Sequence, residues 1–254
     1  MSEREEMKAR RELENEIDKR IKGQAKKFGY KFRSPCAFAK QGEYFISSRC
    51  SVRTCEKAIA YVTVKKMVYD DVFWDVMDMP SNKEQPLSLR AVGAFTAPEI
   101  TVCEREIPIS SDLDAFVELY YKIVIEESTR FLQENPLDDY ILTHDIKYHG
   151  ILLKCLVYLS RNETAAAVCE AKQAIASGDR GGFENGGKNF FEWVLLRFAP
   201  PEYVSSPPTV SRVYQSVPIE IPKEKETFVN VDVPDTKPSF LSKIKTFFSE
   251  KNTK

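Results

Sequence analysis

Histidine is nearly missing from this sequence: His144 and His149 are the only two among 254 residues. That scarcity takes the commonest general base and metal ligand out of most of the chain. On a helix, an i, i+5 pair stands about 140° apart, so these two rings cannot share an ion. No C-x-x-C pair exists either. Cys36, Cys50, Cys55, Cys103, Cys155 and Cys169 are scattered, which excludes a small disulfide framework and argues against structural zinc. They read as reduced thiols of a cytoplasmic protein, with Cys155 and Cys169 on the apolar faces of two paired helices. No run approaches the ~18 apolar residues of a membrane span. Met1 to Arg20 is densely charged, with no apolar stretch of the kind a signal peptide needs. A surplus of one charge is missing too. Thirty-seven Lys and Arg face thirty-eight Asp and Glu, a net charge of −1, so the electrostatic footprint of a nucleic-acid binder is lacking.

What the sequence does have is one long amphipathic stretch, Ile109 to Pro136, that divides the chain. Ser110, Ser111 and Asp112 offer N-cap oxygens. Leu113, Phe116, Val117, Tyr120, Ile123, Val124, Phe131 and Leu132 recur at helical spacing, and Pro136 closes the pattern. Before it, Glu3 to Phe28 predicts a helix with an apolar seam at Leu13, Ile17, Ile21, Ala25 and Phe28, ended by Gly29. Strand-like segments follow at Tyr30–Arg33, Glu43–Arg49, Ala58–Val68, Leu87–Phe95 and Ile100–Ile107, short and closely connected, as in an antiparallel meander. Tyr69 to Met79 fits a helical turn and a strand equally well. After the long helix, Ile146–Leu159 and Thr164–Ser177 predict a helical hairpin, a glycine-rich loop spans Gly178–Gly187, and Asn189–Phe198 predicts a last helix.

The predicted architecture is therefore α+β: N-terminal helix, meander of about five strands, long helix, small helical bundle. Residues 1–199 make the globular part, with 1–136 as its helix/sheet/helix core and 137–199 as the hairpin and last helix. Pro200-Pro201 opens a stretch, 200–238, that carries eight of the fourteen prolines and reads as an extended linker. Within it Val229, Val231 and Val233 alternate with polar residues, a pattern able to join a sheet edge. Residues 239–254 read as an amphipathic, basic tail helix.

In element order, and in Phe28-Gly29-Tyr30-Lys31-Phe32 and Phe73-Trp74, the chain resembles a family of uncharacterised bacterial α+β domains of unknown function, over roughly residues 5–165. The resemblance implies a fold and contains no catalytic motif.

Three constellations invite chemistry. Gly182-Phe183-Glu184-Asn185-Gly186-Gly187-Lys188 fits seven positions of a phosphate-cradling P-loop, but Asn189 stands where a Ser or Thr hydroxyl must hold magnesium, and the preceding segment reads as helix, not strand. It is expected to be an inter-helix loop. Asp145 and His149, at i, i+4, can form a carboxylate-oriented imidazole, without an accompanying nucleophile. Asp70, Asp71, Asp75 and Asp78 surround Phe73-Trp74. On a helix Asp71, Asp75 and Asp78 share a face, suited to a basic partner more than to a metal ion. No catalytic residue, cofactor or metal is expected.

Two surfaces carry the functional expectation. The segment from Pro98 to Tyr140 holds eleven carboxylates (Glu99, Glu104, Glu106, Asp112, Asp114, Glu118, Glu126, Glu127, Glu134, Asp138, Asp139) against Arg105, Lys122 and Arg130. With Asp71, Asp75 and Asp78 it predicts an acidic face that steers basic partners. In the tail, Phe240, Leu241, Ile244, Phe247 and Phe248 form an apolar stripe flanked by Lys243 and Lys245. So short a segment forms a helix only against something: its own domain, a partner's groove or an anionic membrane surface. The leading expectation is a non-enzymatic cytoplasmic interaction protein, such as an inhibitor or immunity-type partner of a basic protein. The alternatives are a peripheral membrane protein held by 239–254, and a hydrolase or nucleotide-binding enzyme using Asp145, His149 or the Gly182–Lys188 loop.

Overall fold

The structure, a computed structural model, describes residues 2–200; the expected linker beyond Pro200 and the amphipathic segment at 239–254 lie outside them. Helix α1 runs Glu3–Gln24. Ser2 starts it by a reciprocal cap: its hydroxyl accepts from the Glu5 amide, and its own amide donates to the Glu5 carboxylate at 2.9 Å. A 3-10 turn, Ala25–Phe28, ends at Gly29 with φ of 80°, where a side chain would be strained. The seam at Leu13, Ile17, Ile21 and Ala25 is buried as expected.

The sheet is an antiparallel meander in the order β1-β2-β3-β4-β5. Its strands are β1 (Lys31–Arg33), β2 (Cys36–Gln41), β3 (Tyr44–Thr54), β4 (Lys57–Lys66) and β5 (Ile100–Pro108). One strand was not expected, and one of the five expected segments is not a strand. Cys36–Gln41 is a strand that the sequence conceals, because Ala37 and Ala39 carry little strand preference; here both are buried against the main core. Leu87–Phe95 is not a strand. Its centre, Leu89–Val92, is a short helix, α3, closed by the Gly93 amide donating to the Leu89 carbonyl at 2.8 Å. Only glycine fits there, since a Cβ on Gly93 would lie 2.5 Å from that oxygen. The ambiguous segment resolves as helix α2, Met67–Val76.

Strand alternation sends Ile46, Cys50 and Val52 of β3 and Ala58, Ala60, Val62 and Val64 of β4 to one face. There α1 and the long helix α4 (Leu113–Glu134) cover them. Asp112 caps α4 by accepting from the Asp114 and Ala115 amides at 3.0 and 3.1 Å. Tyr120 and Tyr121 are both fully buried. The first bonds Ser48 of β3 at 2.7 Å, and the second donates to the Ile21 carbonyl of α1 at 2.8 Å, so α4 is tied to both neighbours. Each large side chain buried in this way contributes on the order of 2 kcal/mol.

The bundle comprises α5 (Leu137–Thr143), α6 (Gly150–Ser160), α7 (Thr164–Ser177) and α8 (Phe190–Phe198), with a β6–β7 hairpin (Glu184–Asn185, Lys188–Asn189) before α8. The predicted helix from Ile146 starts only at Gly150, and α5 was not expected. Helix α2 joins the bundle to the sheet: Phe73 stacks on Phe190 at 5.5 Å and meets Phe183 edge-on at 4.9 Å. Cys155 is buried, but Cys169 is exposed. The buried face of α7 is Ala167, Val168, Ala171 and Ala174, and Cys169 lies off that stripe. No helix among the described residues is long and apolar enough to cross a membrane.

Candidate functional site

The second face of the sheet carries the polar halves of the same strands: Phe45, Ser47, Arg49 and Ser51 on β3, and Tyr61, Thr63 and Lys65 on β4, with Ser47 opposite Thr63 and Arg49 opposite Tyr61. At one end this face is sealed over a buried ionic cluster. Lys65 is fully buried. Its ammonium donates to Asp70 at 3.0 Å and to the carbonyls of Arg90 and Ala97 at 3.0 and 3.1 Å, and it approaches Glu99 at 3.5 Å. Asp70, also fully buried, accepts in addition from the Arg90 guanidinium at 3.1 Å and the Ala97 amide at 2.8 Å. Burial pushes the Asp70 carboxyl upward against the pull of Lys65, Arg90 and that amide. Arg90 completes the cluster with Asp71 at 2.7 Å and lies over the Trp74 ring at 4.7 Å. The cluster therefore clamps α3 and the following loop to the sheet through both main-chain and side-chain bonds.

That clamped loop, 91–98, forms one wall of a cleft of about 670 Å³. The floor is the sheet: Ser47, Arg49, Ser51, Tyr61, Thr63 and Thr101. His149 and Phe183 stand on the rim. Glu99 sits at the floor's inner edge with its carboxylate already engaged. Ser47 donates to it at 2.6 Å, Thr63 donates to the same oxygen, and Lys65 neutralises it. Ser47 is itself 3% exposed, so its hydroxyl is out of reach of a ligand. Cys36, beside this group, is fully buried with Phe38 and Phe45. Burial, reinforced by Glu99, raises its thiol pKa, the opposite of what a reactive cysteine requires. Arg49, by contrast, is exposed and makes no hydrogen bond or ion pair among the described residues. Arg53 donates to the Tyr61 hydroxyl, which leaves the phenol's own proton free to donate.

The residues singled out from sequence are spread out. Asp71, Asp75 and Asp78 do lie on and just after one helix, but each turns to a cation of this chain: Arg90 at 2.7 Å, Lys83 at 2.5 Å and Arg197 at 2.8 Å. Their side chains remain 38%, 53% and 64% exposed. The acidic stretch is similarly engaged. Arg20 holds Asp114, Lys27 holds Glu118, Lys57 holds Glu106, and Lys66 with Arg161 holds Asp138. Arg161 also holds Asp139, while Arg130 holds Glu127 and Glu134. Glu104 and Glu126 alone in that stretch have neither a cation nor a capping role among the described residues. A count along the sequence misses all of these cations but Arg130, because they arrive from other elements.

The P-loop resemblance dissolves into a hairpin. Gly186 and Gly187, with φ of 56° and 73°, make the two-residue turn between Asn185 and Lys188, a geometry closed to most other residues. Asn189, the residue that spoiled the motif, caps α8: its side chain accepts from the Glu192 amide at 3.0 Å, and the Glu192 carboxylate accepts from the Asn189 amide at 2.8 Å. Asp145 and His149 lie outside any helix, so their spacing brings no pairing. His149 instead adopts φ of 57° at the start of α6 and reaches the cleft with Phe183 of the glycine-rich loop. No three metal-ligating side chains converge among the described residues.

The cleft itself was missed. Its signal was present as polar residues at alternating positions of two strands (Ser47, Arg49, Ser51; Tyr61, Thr63, Lys65), and Lys65 inside a strand otherwise fit for burial was the strongest part of it. No family model matches this chain, and no curated protein and no solved structure does either.

Proposed function

We propose that this chain works by holding other molecules rather than by transforming them: a non-enzymatic interaction protein whose 239–254 segment is a tethered docking helix. The observation that carries the reading is the stripe Phe240, Leu241, Ile244, Phe247 and Phe248, placed beyond a stretch holding eight prolines. Half-burying five such side chains gives on the order of 4–7 kcal/mol gross, and ordering the segment offsets most of it, so the contact is reversible. The cleft chemistry agrees with this, because of its two buried serines Ser47 is spent on Glu99 and Ser48 accepts from Tyr120, while the nearby Cys36 is sealed in apolar surroundings.

For a basic partner, such as a toxin that this chain would inhibit, Asp71, Asp75 and Asp78 are the carboxylates clustered on and just after one helix and still partly exposed. An incoming lysine would have to displace Arg90, Lys83 or Arg197, so the gain is an exchange of ion pairs and not a new one. The tail supplies the affinity in this reading, and the helix α2 carboxylates supply selectivity.

The test uses the full chain as bait, beside the Phe247→Asp variant. A protein retained by the first and lost by the second supports the reading, and equal retention discards it. Sedimentation of the full chain with phosphatidylserine vesicles, lost in Phe247→Asp and in high salt, would assign the segment to a membrane surface instead. The flanking Lys243, Lys245, Lys251 and Lys254 motivate that arm, at ~1 kcal/mol each near an anionic surface.

A further inference from the structure

Among the described residues, the cleft contains one cation whose side chain has no hydrogen-bond or ion-pair partner. Lys65 and Arg90 beside it are each bonded to carboxylates. Arg49 lies within the floor, is exposed, and stays clear of Glu99 because that carboxylate is taken by Ser47, Thr63 and Lys65. Directly across the ladder from Arg49 stands Tyr61. The Arg53 guanidinium donates to its oxygen, so its own proton is left to donate to an incoming acceptor. Arg49 and Tyr61 thus present a guanidinium and a hydroxyl donor side by side, with Ser51 on the same face of the strand. The wall opposite has the reverse character: Val92 and Ala94 offer exposed small apolar side chains, and Phe183 adds an aromatic ring at the rim. At about 670 Å³ the space falls within the range of small-molecule sites.

We infer that this cleft binds a small organic anion, a carboxylate or phosphate monoester with an apolar body, its charged end on Arg49 and Tyr61 and its body against the 91–97 wall. The two charged ends share one chemistry, acceptor oxygens on a delocalised anion that a guanidinium grips in a plane. An uncharged ligand of the same shape would leave the guanidinium without a counter-charge and would not be selected. This site is independent of the tail, and partner capture by 239–254 and occupancy of the cleft are read by separate assays, so either can fail alone.

The experiment is titration of the full chain with benzoate, phenyl phosphate and benzamide, followed by calorimetry or by shifts of backbone amide resonances in residues 49–51 and 91–97. The expectation is saturable binding of at least one anion, with a Kd on the order of 1 mM for a fragment of this size, and none of benzamide. Whichever of benzoate and phenyl phosphate binds more tightly identifies the charged end. Arg49→Gln should weaken it by about 10- to 100-fold, the worth of a charged hydrogen bond, and Tyr61→Phe by a smaller factor. Arg33→Gln, on the same sheet but outside the cleft, should leave it unchanged. Benzamide binding as well as benzoate, full affinity in Arg49→Gln, equal loss in Arg33→Gln, or no saturation by either anion at about 10 mM would each overturn the assignment.

Discussion

Replacing Lys65 by methionine removes one ammonium from the centre of the clamp while keeping nearly the same volume. The Asp70 carboxylate and the carbonyls of Arg90 and Ala97 lose a donor, at 3.0, 3.0 and 3.1 Å, and Glu99 loses its cation at 3.5 Å. Asp70 keeps Arg90 and the Ala97 amide, so it is not orphaned. The two carbonyls are, at about 1–3 kcal/mol each. Against this stands the relief of no longer desolvating an ammonium, which a buried pair must always overcome. The net expectation is a loss of about 3–5 kcal/mol, a large share of the 5–15 kcal/mol typical of a folded domain. Urea unfolding of the full chain at pH 7 measures it, with Asp70→Asn and the double variant completing a cycle. Because the groups share one network, the double variant should cost at least ~1 kcal/mol less than the sum of the singles. A loss under ~1 kcal/mol, or additive singles, would mean that the clamp is not what secures the cleft wall.

Three further outcomes follow from particular contacts. Gly93→Ala forces a methyl against the Leu89 carbonyl and its Cδ1, at 2.5 and 2.8 Å, and should cost about 1–3 kcal/mol in the same unfolding assay. Asn189→Ala removes one half of the reciprocal cap of α8 and should cost about 1 kcal/mol. Asp138 tests pH dependence. Burial alone would raise its carboxyl, but the hydrogen bond from Tyr69 at 2.5 Å, with Lys66 and Arg161, holds it below the usual carboxylate range. A depressed folded pKa contributes stability above the unfolded value, near 3.9, that is lost as pH falls through the folded one. Asp138→Asn should therefore be less stable than the parent at pH 7 by about 2–4 kcal/mol, with the gap closing below about pH 4. A gap that persists at pH 2 would refute that account.

The two long helices and four of the five strands of the large sheet were legible because their apolar residues repeat at a fixed period: Leu13, Ile17 and Ile21 on α1, and Ile46, Val62 and Val64 on the strands. Where the period was weak, burial decided. Ala37 and Ala39 make a strand whose small side chains are buried in the main core, and in the short helix Leu89 to Val92 Arg90 turns inward to Asp70. The cleft was illegible for a different reason. Arg49, Tyr61 and Glu99 are separated in sequence and meet only through strand register and a loop fixed by a buried lysine. The cation partners of the acidic stretch were illegible on the same ground: charges were counted along one segment, and Arg20, Lys27, Lys66 and Arg161 come from others.

The aromatic contact between α2 and α8 also sets a timetable. Phe73 and its neighbour Trp74 leave the ribosome early, yet the ring that stacks on Phe73 is Phe190. At ordinary synthesis rates the delay is on the order of 10 s. During it the nascent sheet can close over α1 and α4, while the outer side of α2 waits bare, a surface that a holding chaperone would recognise and that a chain cut short before Phe190 would never cover.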